Sequence, residues 1–241
     1  MANIQPYVII NGVNSQTIAG LIISELPPIS KAPQRVNLEA IDGRDGDIAT
    51  PLGFGAYDKP FKIGLAGAFN IDDVIEFFNS EGVIIFSNEA GKYYRFAIYE
   101  QIDFNKLLRF KTADVIAHVQ PFKYSTTETP LTPTLSASPN SVTIANAGNI
   151  DARPIIEITG AGDVTLALNG SDLLEITLDD NGEKIIIDSE KMNAYAQDGE
   201  TLLNRQVIGN YDRIKLNKGA NTLTLTGDVT ALKISNYSRW V

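Results

Sequence analysis

The chain has 241 residues, 44% of them hydrophobic, enough apolar material for one large or two ordinary globular domains, which argues against disorder as its main state. A formal net charge of −9 argues against a surface built to grip nucleic acid, which needs clustered Lys and Arg to displace counterions from phosphates. With no cysteine, a disulfide framework, thiol chemistry and a thiolate metal site are all excluded.

The opening MANIQPYVIING lacks the basic start and continuous apolar run that export requires, and no later segment approaches a membrane-spanning length. It predicts a protein made and folded in a cytoplasm, with no membrane partner. Within it, Asn11-Gly12 follows an apolar run and supplies the positive φ values of a tight hairpin turn. Leu21 to Leu26 reads as extended until Pro27-Pro28 stops it. After Pro33, Val36 to Ile41 alternates apolar and polar residues before the loop Asp42-Gly43-Arg44-Asp45-Gly46-Asp47. One helix is expected, in NIDDVIEFFNSEG (70 to 82). Asn70 caps it, Asp73 takes the capping-box position, Ile71, Val74, Ile75 and Phe78 form its apolar face, and Gly82 stops it. That face needs a sheet, which residues 83 to 88, 93 to 100 and 113 to 125 supply.

Between Ser125 and Ser141 the composition turns to Thr, Ser and Pro, poor in anything that builds a core. This predicts a first domain over 1–130, a linker over 131–140 and a second domain over 141–241. Beyond the boundary, short runs recur between turn signals: SVTIAN, PIIEITG, VTLALNG, LLEITL, KIIIDS, DRIKLN, NTLTLTG and ALKIS. Their spacing predicts an antiparallel sandwich or jelly roll. Pro154 cannot donate to a ladder, so it marks the bend at which one of these strands begins. Residues 192 to 205 interrupt the rhythm and read as a long surface crossover. The fold class is therefore mainly β, with one helix in its first half.

Chemistry is hard to place. His118 is the only histidine and lies within an alternating strand, where it reads as a strand-surface or satisfied core residue. The Asp42, Asp45 and Asp47 loop departs from a calcium-binding loop, with Gly53 where a bidentate Glu is needed and Arg44 inside the would-be cage. Glu175, Asp179, Asp180 and Glu183 could supply paired carboxylates, but Asp180-Asn181-Gly182 between apolar runs reads as a hairpin turn. The second half offers few rings for sugar stacking: Tyr195, Tyr211, Tyr237 and Trp240, the last read as a packed anchor. Catalytic residues, cofactor and metal are all expected to be none.

The order of several fragments resembles the distal tail proteins (Dit family) of long, non-contractile-tailed bacteriophages, over essentially the whole chain. They are the "IING" hairpin, "IDGRDGD", "AYDKPFKIGL", the helix leading into "VIIFSNEAGKYYRFA", "NAGNIDARPIIEITGAGDVTLALNG", "IIIDSEKMNAYAQDGETLLN", "NKGANTLTLTG" and "SRW". The resemblance implies a β-rich belt domain, a galectin-like second domain and a homohexameric ring, single or stacked in two, at the distal end of the virion's tail. It implies as partners the tail tube protein, a tail-associated or tail-fibre protein and a receptor-binding protein, and a channel for DNA with no specific nucleic-acid binding. Arg44, Asp45 and Asp47, a bent loop of both charge signs, are the expected ring contacts. The alternative reading is a carbohydrate-binding module that recognises a host-wall saccharide through the second domain.

Overall fold

Asn11 and Gly12 take φ of 48° and 86°, and so turn strand β1 (Val8–Ile10) back into β2 (Val13–Asn14). The computed structural model describes residues 5–136 and 138–241, and two compact units divide between Thr126 and Thr127. After β1 and β2 the first unit continues with β3 (Leu21–Glu25), β4 (Gln34–Ala40), β5 (Asp47–Phe54), β6 (Tyr57–Leu65), helix α1 (Ile71–Phe78), β7 (Glu81–Phe86), β8 (Lys92–Ala97), helix α2 (Phe104–Phe110) and β9 (Thr112–Ser125). Seven strands form an antiparallel sheet in the order β2-β1-β7-β8-β9-β6-β3. Among the described residues β4 and β5 pair only with each other.

Asn70 caps α1 by accepting from the Asp72 amide at 3.1 Å, and its amide donates to Asp73 Oδ1 at 2.8 Å. The helix buries Val74, Phe77 and Phe78 against the sheet, each side chain contributing about 1.5–3 kcal/mol. Ile75, expected inside, is exposed, and Phe77 takes its place. The helix also stops earlier than expected: Asn79 ends it, and Gly82 lies in β7 with φ of 130°. The expectation of one helix is corrected to two. α2 spans only two turns, too short to show a period, yet Asp103 caps it by accepting from the Lys106 amide at 2.8 Å.

The second unit holds β10 (Asn140–Asn146), β11 (Ile155–Leu168), β12 (Ser171–Asp188), β13 (Asn193–Ala196), β14 (Val207–Gly209) and β15 (Gly219–Ser235), ordered β10-β15-β11-β12-β13 with β14 also on β12. Pairs among the short runs seen in the sequence fuse into long strands. PIIEITG and VTLALNG together make β11, which starts just after Pro154, and NTLTLTG with ALKIS makes β15. LLEITL and KIIID both pair with β11 in one direction, so Asp180-Asn181-Gly182 is a bulge within β12 and not the hairpin turn expected from its sequence.

A 14-residue strand runs about 46 Å if straight, longer than the diameter of a domain of roughly 100 residues. The register shifts that bend it fall between Gly160 and Gly162 against β12, and between Thr159 and Gly160 and between Ala161 and Thr165 against β15. A Cβ on Gly160 would stand 2.2 Å from the Asp228 carbonyl oxygen, and one on Gly227, whose φ is 120°, would stand 2.4 Å from that of Asp163. Folded there, the two halves of the sheet share one core, with Ile156, Ile158 and Ile187 from one half and Leu166, Leu174 and Leu225 from the other. The mainly β reading with a second-half sandwich holds.

The Thr- and Pro-rich segment belongs to this second unit. Leu131 exchanges two backbone hydrogen bonds with Ile234, at 2.8 and 2.9 Å. Glu128 Oε1 accepts from the Tyr237 amide at 3.0 Å, and Leu135 packs against the core. The expected crossover at 192 to 205 contains a strand of its own, β13, on the edge of β12.

Candidate functional site

Alternation in a strand normally marks one buried face. β4 alternates as expected, but no residue of it is buried. Register explains what it presents: Val36 lies opposite Pro51, Leu38 opposite Ala49 and Ala40 opposite Asp47. Residues directly opposite point to the same face, so Val36, Pro51, Leu38, Ala49 and Ala40 form one apolar stripe ending at a carboxylate. Leu38 is 61% exposed. The other face carries Asn37, Glu39, Ile48 and Thr50. The result is a hairpin arm whose eight-residue strand β5 reaches about 27 Å. An isolated two-stranded hairpin is marginally stable in water at best, so the arm carries a surface that calls for a covering partner.

The sequence-chosen residues sit at the arm's tip. The turn closes through the Arg44 amide on the Ile41 carbonyl at 3.1 Å, with Gly43 and Gly46 at positive φ. Arg44 and Asp45 lie in the turn, and Asp47 opens β5. Among the described residues, no carboxylate of the arm meets a cation. Nor do any three His, Asp or Glu gather to hold a metal ion.

The arm's root is held by a buried charge cluster that the sequence reading missed. Lys59 is 1% exposed and donates to the Pro28 carbonyl at 2.9 Å, while Asn88 donates to that of Pro27 at 2.8 Å. These bonds fix the segment leading into β4. On the return side, the Gly55 amide donates to the Pro33 carbonyl at 2.8 Å and Phe54 packs edge-on against Phe122. The Lys59 ammonium sits 4.9 Å from the Tyr94 ring centroid and within 6 Å of the Phe86 and Tyr57 rings. Glu89 lies 3.9 Å from it, bonds Lys123 at 2.8 Å and accepts from the Tyr94 hydroxyl.

Burial lowers the Lys59 pKa, and the Glu89 charge offsets part of that. Burial acts to raise the Glu89 pKa, but hydrogen bonds from Lys123 and Tyr94, with both ammonium charges, outweigh it and hold the carboxyl below its ordinary value. The signal for this cluster was parity. Lys59 shares its strand face with Phe61 and Ile63, and Lys123 shares one with Val115 and Val119.

The other candidates stay apart. His118 lies on β9 with Nδ1 2.8 Å from Asp58, its ring against Tyr99. Glu175 faces Thr165 and Ile208 across its ladder, whereas Glu183 accepts from the Asp179 amide and the Gln206 side chain at the bulge. Trp240 is half-buried. A polar cleft of about 280 Å³ in the second unit is lined by Asp151, Asn169, Asp212, Arg213 and Lys215 among others, with no aromatic ring on which a sugar could stack. No described helix is long and apolar enough to cross a membrane.

No protein-family model matches the sequence, and no curated protein matches it. Solved structures do. The Dit protein of phage SPP1 (gp 19.1), described as a paradigm of the hub adsorption apparatus of phages infecting Gram-positive bacteria, aligns with a TM-score of 0.68 at 15% identity. That alignment covers 98% of this chain and 99% of that one. A chain of the phage P2 baseplate, in its activated conformation with Ca, aligns with a TM-score of 0.54 at 10% identity, over 95% of this chain and 96% of that one. The resemblance read from the sequence is thus one of fold along nearly the whole chain.

Proposed function

We propose that the chain is a structural hub protein of a bacteriophage tail, of the distal tail protein kind, and that its copies close into a homohexameric ring between the tail tube and the tail-tip proteins. The observation that carries this reading is the arm: an apolar stripe exposed on a chain that shares its fold with a phage hub protein. Contact between the arm and a different face of the next copy is heterologous, and a heterologous contact closes into a ring when its rotation divides the circle. Arg44, Asp45 and Asp47, at the arm's tip, take part in that contact.

The ring stands alone or stacks in two, and its role is architectural, with no bond made or broken. The second unit serves as the seat for tail-fibre and receptor-binding proteins. A net charge of −9 gives the passage little with which to hold phosphates, so DNA leaves without sticking.

Light scattering and native mass spectrometry test this directly. The purified chain is expected at six or twelve times its 26.2 kDa, and Leu38→Asp as a folded single copy. A parent protein that remains a single copy at every concentration overturns the reading.

A further inference from the structure

The charges of the arm ask what surface receives it. Its apolar stripe ends at Asp47, beside Asp42, Arg44 and Asp45 of the turn, and with Glu39 on the other face and Arg35 near the root the arm is a net negative element in an acidic chain. Such a stripe needs an apolar acceptor that carries positive charge.

The first unit offers one at α2. Leu107 is fully buried and anchors the helix to the sheet, while Leu108 and Phe110, which flank it on either side in the last turn, are 39% and 61% exposed. Beside them stand Arg109, whose guanidinium lies 5.2 Å from the Phe110 ring centroid, and Lys111, whose ammonium lies 4.7 Å from that of Phe69. The acids nearby in sequence are engaged elsewhere, Asp103 in capping the helix and Asp114 with Lys106 at 2.9 Å. Among the described residues neither Arg109 nor Lys111 pairs with a carboxylate.

We infer that the exposed last turn of α2, with Leu108, Arg109 and Phe110 around it and Lys111 at its end, is the acceptor for the hairpin arm of a second copy of this chain. The inference rests on the proposed ring and names the surface that completes its contact. Arm and acceptor each present apolar side chains beside charges of one prevailing sign, and the signs are opposite. Apolar burial supplies the attraction, while the charges select register and disfavour contact of arm with arm. The two surfaces differ and belong to one chain, as a closing heterologous contact requires.

The test is a charge swap in the full-length protein, with assembly followed by sedimentation velocity over a wide concentration range and folding followed by circular dichroism. Arg109→Glu is expected to keep the parent melting temperature and to need a roughly tenfold or higher concentration for half-assembly. Arg109→Gln removes the charge without reversing it and is expected to show a smaller loss. Adding Asp45→Lys and Asp47→Lys to Arg109→Glu is expected to restore assembly, and the parent's assembly is expected to weaken with salt.

Arg109→Glu assembling like the parent, while Leu38→Asp stays a single copy, overturns the α2 assignment and leaves the arm's role standing. A loss that the arm-tip swap does not restore also overturns it, because α2 then meets something other than the arm. A parent that never assembles removes the ring and this contact together.

Discussion

Lys59 and Glu89 show how much a few buried charges can set. Two ammonium groups and one carboxylate lie under the arm's root, so removing the carboxylate leaves both cations unbalanced in a low-dielectric site. Breaking a buried pair in this way costs about 3–5 kcal/mol. Glu89→Gln is therefore expected to lower the denaturation midpoint of the first unit, followed by circular dichroism. Lys59→Met behaves differently: it leaves the Glu89–Lys123 pair intact and fills the aromatic cage with an apolar chain, so its cost is mainly the lost donor to the Pro28 carbonyl, about 1–3 kcal/mol. Faster hydrogen exchange is expected over residues 29 to 55, with a smaller fall in melting temperature than Glu89→Gln gives.

Glu157 in the second unit offers a pH test. Burial acts to raise its pKa, but hydrogen bonds from Lys184 at 2.6 Å and Lys233 at 2.7 Å, with their charges, hold it below its ordinary value. A carboxyl depressed in the folded state contributes stability that is complete above its unfolded value of 4.5 and is lost as pH falls through the folded one. The stability of the second unit, read from Trp240, the chain's one tryptophan, is expected to fall as pH drops below about 4.5. Glu157→Gln is expected to flatten that dependence.

At the scale of elements, the short helix and the bent strands mark how far a linear pattern carries. The α1 cap was legible because Asn70 and Asp73 act within one turn, and Asn70→Ala is expected to cost about 1 kcal/mol. The fusion of short runs into β11, β12 and β15 was not legible. Gly160, Gly182 and Gly227 look like turn residues in sequence, and only the pairing of both flanking runs with one neighbour distinguishes a bend from a reversal. The distinction predicts a consequence. Where a glycine merely ends a strand, alanine is tolerated. At Gly160 a Cβ meets the Asp228 carbonyl oxygen, backbone that cannot yield without opening the crossing of β11 and β15. Gly160→Ala is expected to destabilise the second unit by about 2–4 kcal/mol, seen as an earlier transition in Trp240 fluorescence, with the first unit's transition unmoved.

For the whole molecule, the division of labour between β strands was legible in part. Alternation in Val36 to Ile41 announces a strand with one apolar face, but the pattern is identical whether that face meets the chain's own core or another chain. What separates the two cases is that, among the described residues, β4 and β5 have no strand partner but each other. Composition misleads in the opposite sense around the domain boundary. Thr- and Pro-rich sequence has little to bury, yet residues 127 to 136 gain backbone pairing and two leucine contacts along the second unit. A fragment of residues 127–241 keeps the Leu131 exchange with Ile234, the Glu128 and Thr129 bonds to Tyr237, and Leu135 on the core. A fragment of residues 141–241 loses all of them, together with Asn140, which accepts from the Ser136 amide at 2.7 Å. At about 1 kcal/mol for each of these hydrogen bonds, plus the apolar contacts, the shorter fragment is expected to be less stable by about 5 kcal/mol or more. Urea denaturation followed by Trp240 fluorescence measures the difference, and equal midpoints would show the strap to be a passive tether.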